Sequence, residues 1–278
     1  MLEDNGAVRP AATVILLRPA TGGGEGAHAE PGMEVLLMRR VPSMGFAPGA
    51  FVFPGGGVDA RDADGDLPWT GPDPKSWAAK LGTDVPMARA LVCAAVRETF
   101  EETGVLLASE PERAEEKLLT LDTTTEDWEQ DRLGLIDRTR SFTEVLSERG
   151  LVLRSEWLRA WSRWITPEGQ KRRYDTFFFV AELPPGQNPR DVGGEADLSQ
   201  WSDPAVVGEE WFAGRMPMLA PTVATCVELE QARTLEGVWS TERDIVPIEP
   251  EMREIDGRLW AVLPSGTSFP LPENVSVS

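Results

Sequence analysis

Three glutamates crowd the end of one helical stretch. In RETFEETG, residues 97–104, Glu98 is followed three and four positions later by Glu101 and Glu102. Residues at that spacing share a helix face, so the carboxylates fall within an arc of about 100°. Each like-charge pair costs roughly 0.2–0.5 kcal/mol. Gly104 reads as the helix stop, which puts two of the acids at the negative end of the dipole. A folded domain tolerates such costs, so a solvated acidic face is compatible with the energetics. A cluster of oxygen-only donors nevertheless suits a hard divalent cation, Mg²⁺ or Mn²⁺, whose charge removes the repulsion. Arg97 is placed to brace a carboxylate through a bidentate pair. Upstream, Gly55, Gly56 and Gly57 follow the apolar run AFVF; they let the backbone turn and approach a ligand or metal closely.

The elements that must hold these groups are readable in part. AATVILLRP (11–19), EVLLMRR (34–40) and AFVF (50–53) read as strands. KSWAAKL suggests a helical turn, and a helix runs from about Pro86 to Thr103, with Val92, Cys93, Val96 and Phe100 as an apolar stripe opposite the glutamates. Residues 106–165 read as helical and charged. Within them SFTE has capping-box spacing, Gly150 is a stop, and Trp157, Trp161 and Trp164 fall on one helix face, most simply a core stripe. YDTFFFVAEL (174–183) is a buried strand, 221–235 a helix, and MREIDGRLWAVLP a hairpin turning at Asp256-Gly257. The expected organisation is a tail over residues 1–10 and one domain over 11–278, with insertions at 60–86 and 106–165.

Composition limits the chemistry. The chain has 278 residues, 41% hydrophobic and 26% charged, enough for a sizeable core. No apolar run approaches the roughly 18 residues of a membrane span. The acidic start lacks signal-peptide order, and with two cysteines, Cys93 and Cys226, in apolar helical patterns, a cytoplasmic protein with free buried thiols is the expectation. One histidine, His28, leaves almost no room for His-based zinc sites or Ser/His/Asp triads. A formal net charge of −19 disfavours nucleic acid and anionic membrane as partners. A polyanionic substrate would need a local counter-charge from a metal or from Lys171, Arg172 and Arg173, the densest basic cluster; a homodimer stays open.

At these residues the sequence resembles the Nudix hydrolases, whose signature is G-x5-E-x7-R-E-U-x-E-E-x-G-U with U apolar. RETFEETGV matches the second half, with Thr99 where an apolar residue is expected. After Gly56 and five intervening residues stands Asp62 in place of Glu, and the spacer to Arg97 is 34 residues (63–96) in place of 7. VLLMRRVPSMGFAPGAFVFPGGGVDA, WITPEGQKRRYDTFFFVAELP and GGEADLSQW extend the likeness to the coenzyme A diphosphatase-like branch of peroxisomal type, which also carries an insertion inside its Nudix box. The ending SVS lacks the tripeptide peroxisomal address. The resemblance implies an α+β fold, a Nudix α/β/α sandwich around a mixed sheet with helical insertions. It implies a metal-dependent diphosphohydrolase acting on a small-molecule nucleotide, most simply coenzyme A or acyl-coenzyme A. ADP-ribose, NADH, nucleotide sugars and a non-catalytic binding module are the alternatives. It implies Glu98, Glu101 and Glu102 as metal ligands; Glu98, Glu102, Glu195 and Arg97 as catalytic, with Glu98 or Glu195 as base; and Gly55, Gly56, Arg39, Lys171, Arg172 and Arg173 as substrate-binding.

Overall fold

The structure is a computed structural model, which describes residues 7–21, 32–44, 47–64, 66–111, 121–190 and 196–272. Its strands, in chain order, are β1 (Val8–Pro19), β2 (Met33–Arg40), β3 (Phe51–Val52), β4 (Gly55–Gly57), β5 (Trp69–Thr70), β6 (Ala108–Ser109), β7 (Val152–Arg154), β8 (Leu158–Ile165), β9 (Arg173–Glu182) and β10 (Ala196–Ser202), then β11 (Pro247–Ile248), β12 (Glu251–Ile255), β13 (Arg258–Val262) and β14 (Ser268–Pro270). The helices are α1 (Pro74–Leu81), α2 (Val85–Thr103), α3 (Glu126–Ile136), α4 (Phe142–Glu148), α5 (Pro204–Phe212), α6 (Ala220–Ala232) and α7 (Leu235–Ser240).

A mixed sheet in the order β10-β2-β1-β9-β8-β11 forms the centre, with β3 paired to β2 and β4 to β1. Along β1 and β9, successive side chains enter two different cores, as the two-residue period of a strand demands. Ala12, Val14, Leu16, Phe177 and Phe179 pack with α2; Ile15, Leu17, Phe178 and Val180 pack with α6. Both faces are covered, and a sheet so covered reads as near-continuous apolar runs. Together these make the α/β/α sandwich.

The sequence around α2 explains its limits. The Asp84 side chain accepts from the Met87 N–H at 2.7 Å, Pro86 sits in the first turn, and Gly104 closes the helix at φ 73°. The hydroxyl of Thr99, out of place in an apolar position, is buried and donates to the Ala95 carbonyl at 2.7 Å. That local bond satisfies the only polar group the substitution introduces.

Several expectations need correction. β1 begins at Val8, so the expected tail contributes its last residues to the central sheet, with Val8 opposite Arg173. Residues 106–165 are not helical throughout: β6, β7 and β5 form a small sheet, and β8 belongs to the central one. Trp161 and Trp164 lie on β8, and Trp157 ends the turn before it. A register shift between Ala160 and Ser162 places a bulge at Trp161, and both strand tryptophans enter the α6 core. Two residues three apart on a regular strand face opposite ways; the bulge undoes that and mimics helical spacing. At the far end, β12–β14 make a separate antiparallel sheet whose first turn uses Asp256 and Gly257, both at positive φ (51° and 76°), as a two-residue hairpin requires.

Candidate active site

The triple glycine is a strand. β4 runs antiparallel to β1, with Thr13 opposite Gly55 and Ala11 opposite Gly57, and it lies directly against the end of α2. The Gly55 N–H donates to Glu102 Oε2 at 2.8 Å, and the Gly57 carbonyl accepts from Arg97 Nη2 at 3.0 Å. A Cβ on Gly56 would stand 2.6 Å from the Glu98 carboxylate carbon, so no larger residue fits between strand and helix without moving the acid.

Arg97 is the hub. Its guanidinium donates to Asp62 through Nε at 2.9 Å and Nη2 at 2.8 Å, and through Nη1 to Glu98 at 2.8 Å and Glu101 at 3.0 Å. Asp62, 2% exposed, sits on a 3-10 turn (Ala60–Ala63) that Asp59 caps; its Oδ2 also accepts from the Asp59 N–H at 2.8 Å. A charge-assisted fork of this kind fixes geometry as well as sign. Burial works to lower the Arg97 pKa, but hydrogen bonding to Asp62 and the charges of Glu98, Asp62 and Glu101 more than offset it, and the guanidinium is held above its ordinary value. Desolvation pushes the Glu98 carboxyl up to about 7, with Arg97 opposing and Glu101 assisting. Glu101 is raised too, again chiefly by burial.

These carboxylates are short of positive charge, and their oxygen-only donor set fits a hard divalent cation in kind. The arrangement does not yet converge: among the described residues no group of three acidic side chains forms a metal cage. Glu98 and Glu101 turn onto Arg97 and Glu102 onto Gly55.

Glu102 and Gly55 also form one edge of a pocket of about 240 Å³ between the sheet, the start of α6 and the C-terminal sheet. Its walls include Phe53, Trp164 and Phe178, with Thr13, Tyr174 and Thr176 among its polar groups. Of the basic residues, Arg39 stands apart: it forms an exposed bidentate pair with Asp197 at 2.8 and 3.1 Å. Its neighbour Arg40 lines the pocket instead, because alternate residues of a strand face opposite ways. Arg173 is tied to Glu249 at 2.7 Å and to the Thr166 carbonyl. Lys171 and Arg172 are exposed beside the pocket residue Gln170. Glu195 falls outside the described residues.

Cys93 does not stand clear of the acidic cluster as its stripe suggested. One turn before Arg97, its Sγ lies 3.5 Å from Asp62 Oδ1, and burial raises its pKa well above the ordinary thiol value. Asp62 itself could be found only from its spacing after Gly56; no local pattern marks it.

A profile of the NUDT19 Nudix domain matches residues 68–227. The chain is 34% identical over 219 residues to the Homo sapiens acyl-coenzyme A diphosphatase NUDT19, covering 66% of this chain and 56% of that one. To the Gallus gallus protein of the same name it is 31% identical over 252 residues, covering 77% and 65%. It thus spans between about half and two thirds of such relatives' length. A solved NUDIX hydrolase from Alicyclobacillus acidocaldarius superposes with TM-score 0.67 at 28% identity, covering 86% of this chain and 99% of that one. With more than half of its residues matched by the profile, and with the sheet, glycine strand and glutamate helix in place, this chain belongs to the NUDT19 Nudix domain family.

Proposed function

We propose that this protein hydrolyses the diphosphate of coenzyme A or an acyl-coenzyme A, giving 3′,5′-ADP and the 4′-phosphopantetheine half. The observation that carries this reading is the Arg97 hub, which holds Glu98 and Glu101 beside the glycine strand while Glu102 faces the pocket. Water attacks one phosphorus of the diphosphate, the bridging P–O bond breaks, and each product keeps one of its two phosphoryl groups, the nucleotide retaining its 3′-phosphate as well. Glu98, buried and with its pKa near 7, is matched to accept the proton of the attacking water at neutral pH. Glu101 and Glu102 would complete a donor set for Mg²⁺ or Mn²⁺, which would supply a counter-charge to the diphosphate. Arg97 orients Glu98 and Glu101 and is not itself aimed into the pocket. Lys171 and Arg172, exposed and next in sequence to the pocket residue Gln170, suit the 3′-phosphate that distinguishes coenzyme A from most nucleoside diphosphates. The names of the Homo sapiens and Gallus gallus relatives support this substrate class.

The test is a substrate panel in ¹⁸O-water with mass spectrometry of the products. Coenzyme A or its acyl esters should give one labelled phosphate per turnover in a divalent-cation-dependent reaction. Preferred cleavage of ADP-ribose, NADH or a nucleotide sugar would replace the substrate assignment, and tight binding without turnover would make the chain a binding module.

A further inference from the structure

The C-terminal sheet lies beyond the 68–227 segment that the family profile matches, yet it supplies one side of the pocket. Met252 on β12 pairs with Ala261 on β13, so their side chains share a face, and Leu271 follows β14. All three line the pocket, with Glu102 and Gly55 at its other edge. We infer, building on the reading above, that this apolar wall is a specificity element that holds the pantetheine half of the substrate, with the nucleotide half left at the rim.

Charge decides which half goes where. The nucleotide half carries a 3′-phosphate dianion, whereas the pantetheine arm bears no charge beyond the diphosphate. The polar lining of the pocket, Arg40, Thr13, Tyr174 and Thr176, comes from the central sheet, where it can meet the diphosphate beside Glu102. A second phosphate set against Met252, Ala261 and Leu271 would lose its hydration with no partner on that wall. Lys171 and Arg172, exposed, follow the lining residue Gln170 directly in sequence, and in solvent a dianion can be met at little cost. The carbons that follow the phosphate in the pantetheine arm form a branched, gem-dimethyl aliphatic unit, which needs contact area and no hydrogen bonds. A side-chain wall without donors or acceptors meets that need and would leave the edge of an adenine unsatisfied. Methionine adds a flexible, polarisable surface that follows an irregular aliphatic shape. The pocket, at about 240 Å³, is below the size that encloses a whole drug-sized ligand, so one end of the substrate must stay outside.

Product inhibition separates the two halves, because each product is one of them. In Met252→Asn the inhibition constant of 4′-phosphopantetheine should rise at least about tenfold relative to that of 3′,5′-ADP, since a buried amide is left unpaired against the aliphatic arm. Met252→Leu should restore the ratio. Leu271→Asn, on a separate segment, repeats the test should Met252→Asn unfold, and melting curves report folding. Equal changes in both constants, or a larger change for 3′,5′-ADP, would overturn the orientation. Cleavage of coenzyme A by the unmodified protein is measured alongside; if it is absent, the substrate reading fails by itself, independently of the ratio.

Discussion

In chelator-treated protein, Glu98→Gln should stabilise the fold several-fold more at pH 8 than at pH 5. The Glu98 carboxyl titrates near 7 in the folded state against 4.5 as its ordinary value, with desolvation as the main cause. Below pH 4.5 both folded and unfolded chains hold the proton, and folding loses nothing. From pH 4.5 up to about 7 the unfolded chain ionises while the buried carboxyl keeps its proton, so stability falls across that window and levels off above it. At 1.36 kcal/mol per pKa unit, the displacement is worth about 3 kcal/mol above pH 7. For a chain of this length that corresponds to roughly 5–10 °C in Tm. Glutamine keeps an oxygen that can accept from Arg97 Nη1 but has no proton to lose. The difference in Tm between variant and parent should therefore grow from about 2 °C at pH 5 to several degrees at pH 8. Adding Mg²⁺ should shrink it, because a cation stabilises the ionised parent. Scanning calorimetry at half-unit pH steps measures this directly, and subtracting the curves cancels every group common to both. Parallel curves across pH 5–8 would refute the claim that burial dominates at Glu98.

Asp62→Ala should cost about 3–5 kcal/mol in denaturant unfolding, since it leaves a buried guanidinium without its fork, and turnover should fall with it; a loss under about 1 kcal/mol would remove Asp62 from the hub. The double substitution Lys171→Ala and Arg172→Ala should raise KM for coenzyme A about tenfold while barely moving that for its 3′-dephospho form, and equal effects on both would dismiss the rim assignment. Iodoacetamide applied to the native protein should leave activity intact for hours: both cysteines are buried, the Cys226 thiol is pushed up to about 12 by desolvation, and that of Cys93 is raised by burial, with Asp62 assisting. Rapid inactivation blocked by substrate would contradict that placement.

What the sequence discloses follows the range of the interaction concerned. The limits of α2 are written in Asp84, Pro86 and Gly104, all within a turn of the ends they set, and they are legible. The Asp256-Gly257 hairpin is legible for the same reason. The tryptophans mislead because a bulge reproduces helical spacing on a strand, and nothing local to Trp161 announces it. The pocket was invisible: its walls come from β1, β8, β9, α6 and the C-terminal sheet, and no periodicity encodes their meeting. Arg39 and Arg40 differ only in which way a strand residue points, a parity fixed by register with β10. The acids on α2 were identifiable by spacing, but their pairing with Arg97 and the glycine strand depends on a tertiary contact.

The long spacer inside the signature raises the question of why the two halves still meet. Lengthening a loop from 7 to 34 residues is a little over two doublings, an entropic cost of about 1.4 kcal/mol. The added chain includes α1, which buries Trp77 and Leu81 against α2 and the sheet, with Trp77 edge-on to Phe179 at 5.7 Å between ring centres. Each such side chain contributes roughly 1.5–3 kcal/mol. The buried Trp77 Nε1 has no partner among the described residues, which takes back about 1–3 kcal/mol. The balance still favours the excursion. Its geometry matters as much: the chain departs only after Asp62 has been fixed on the capped turn, where Arg61 also binds the carbonyls of Arg138 and Arg140 at 3.1 Å. The turn is thus anchored from two sides before the insertion begins, and α2 returns from its own Asp84 cap to present Arg97 to it. The extra residues lengthen the path between the two halves of the site without entering the contact that joins them.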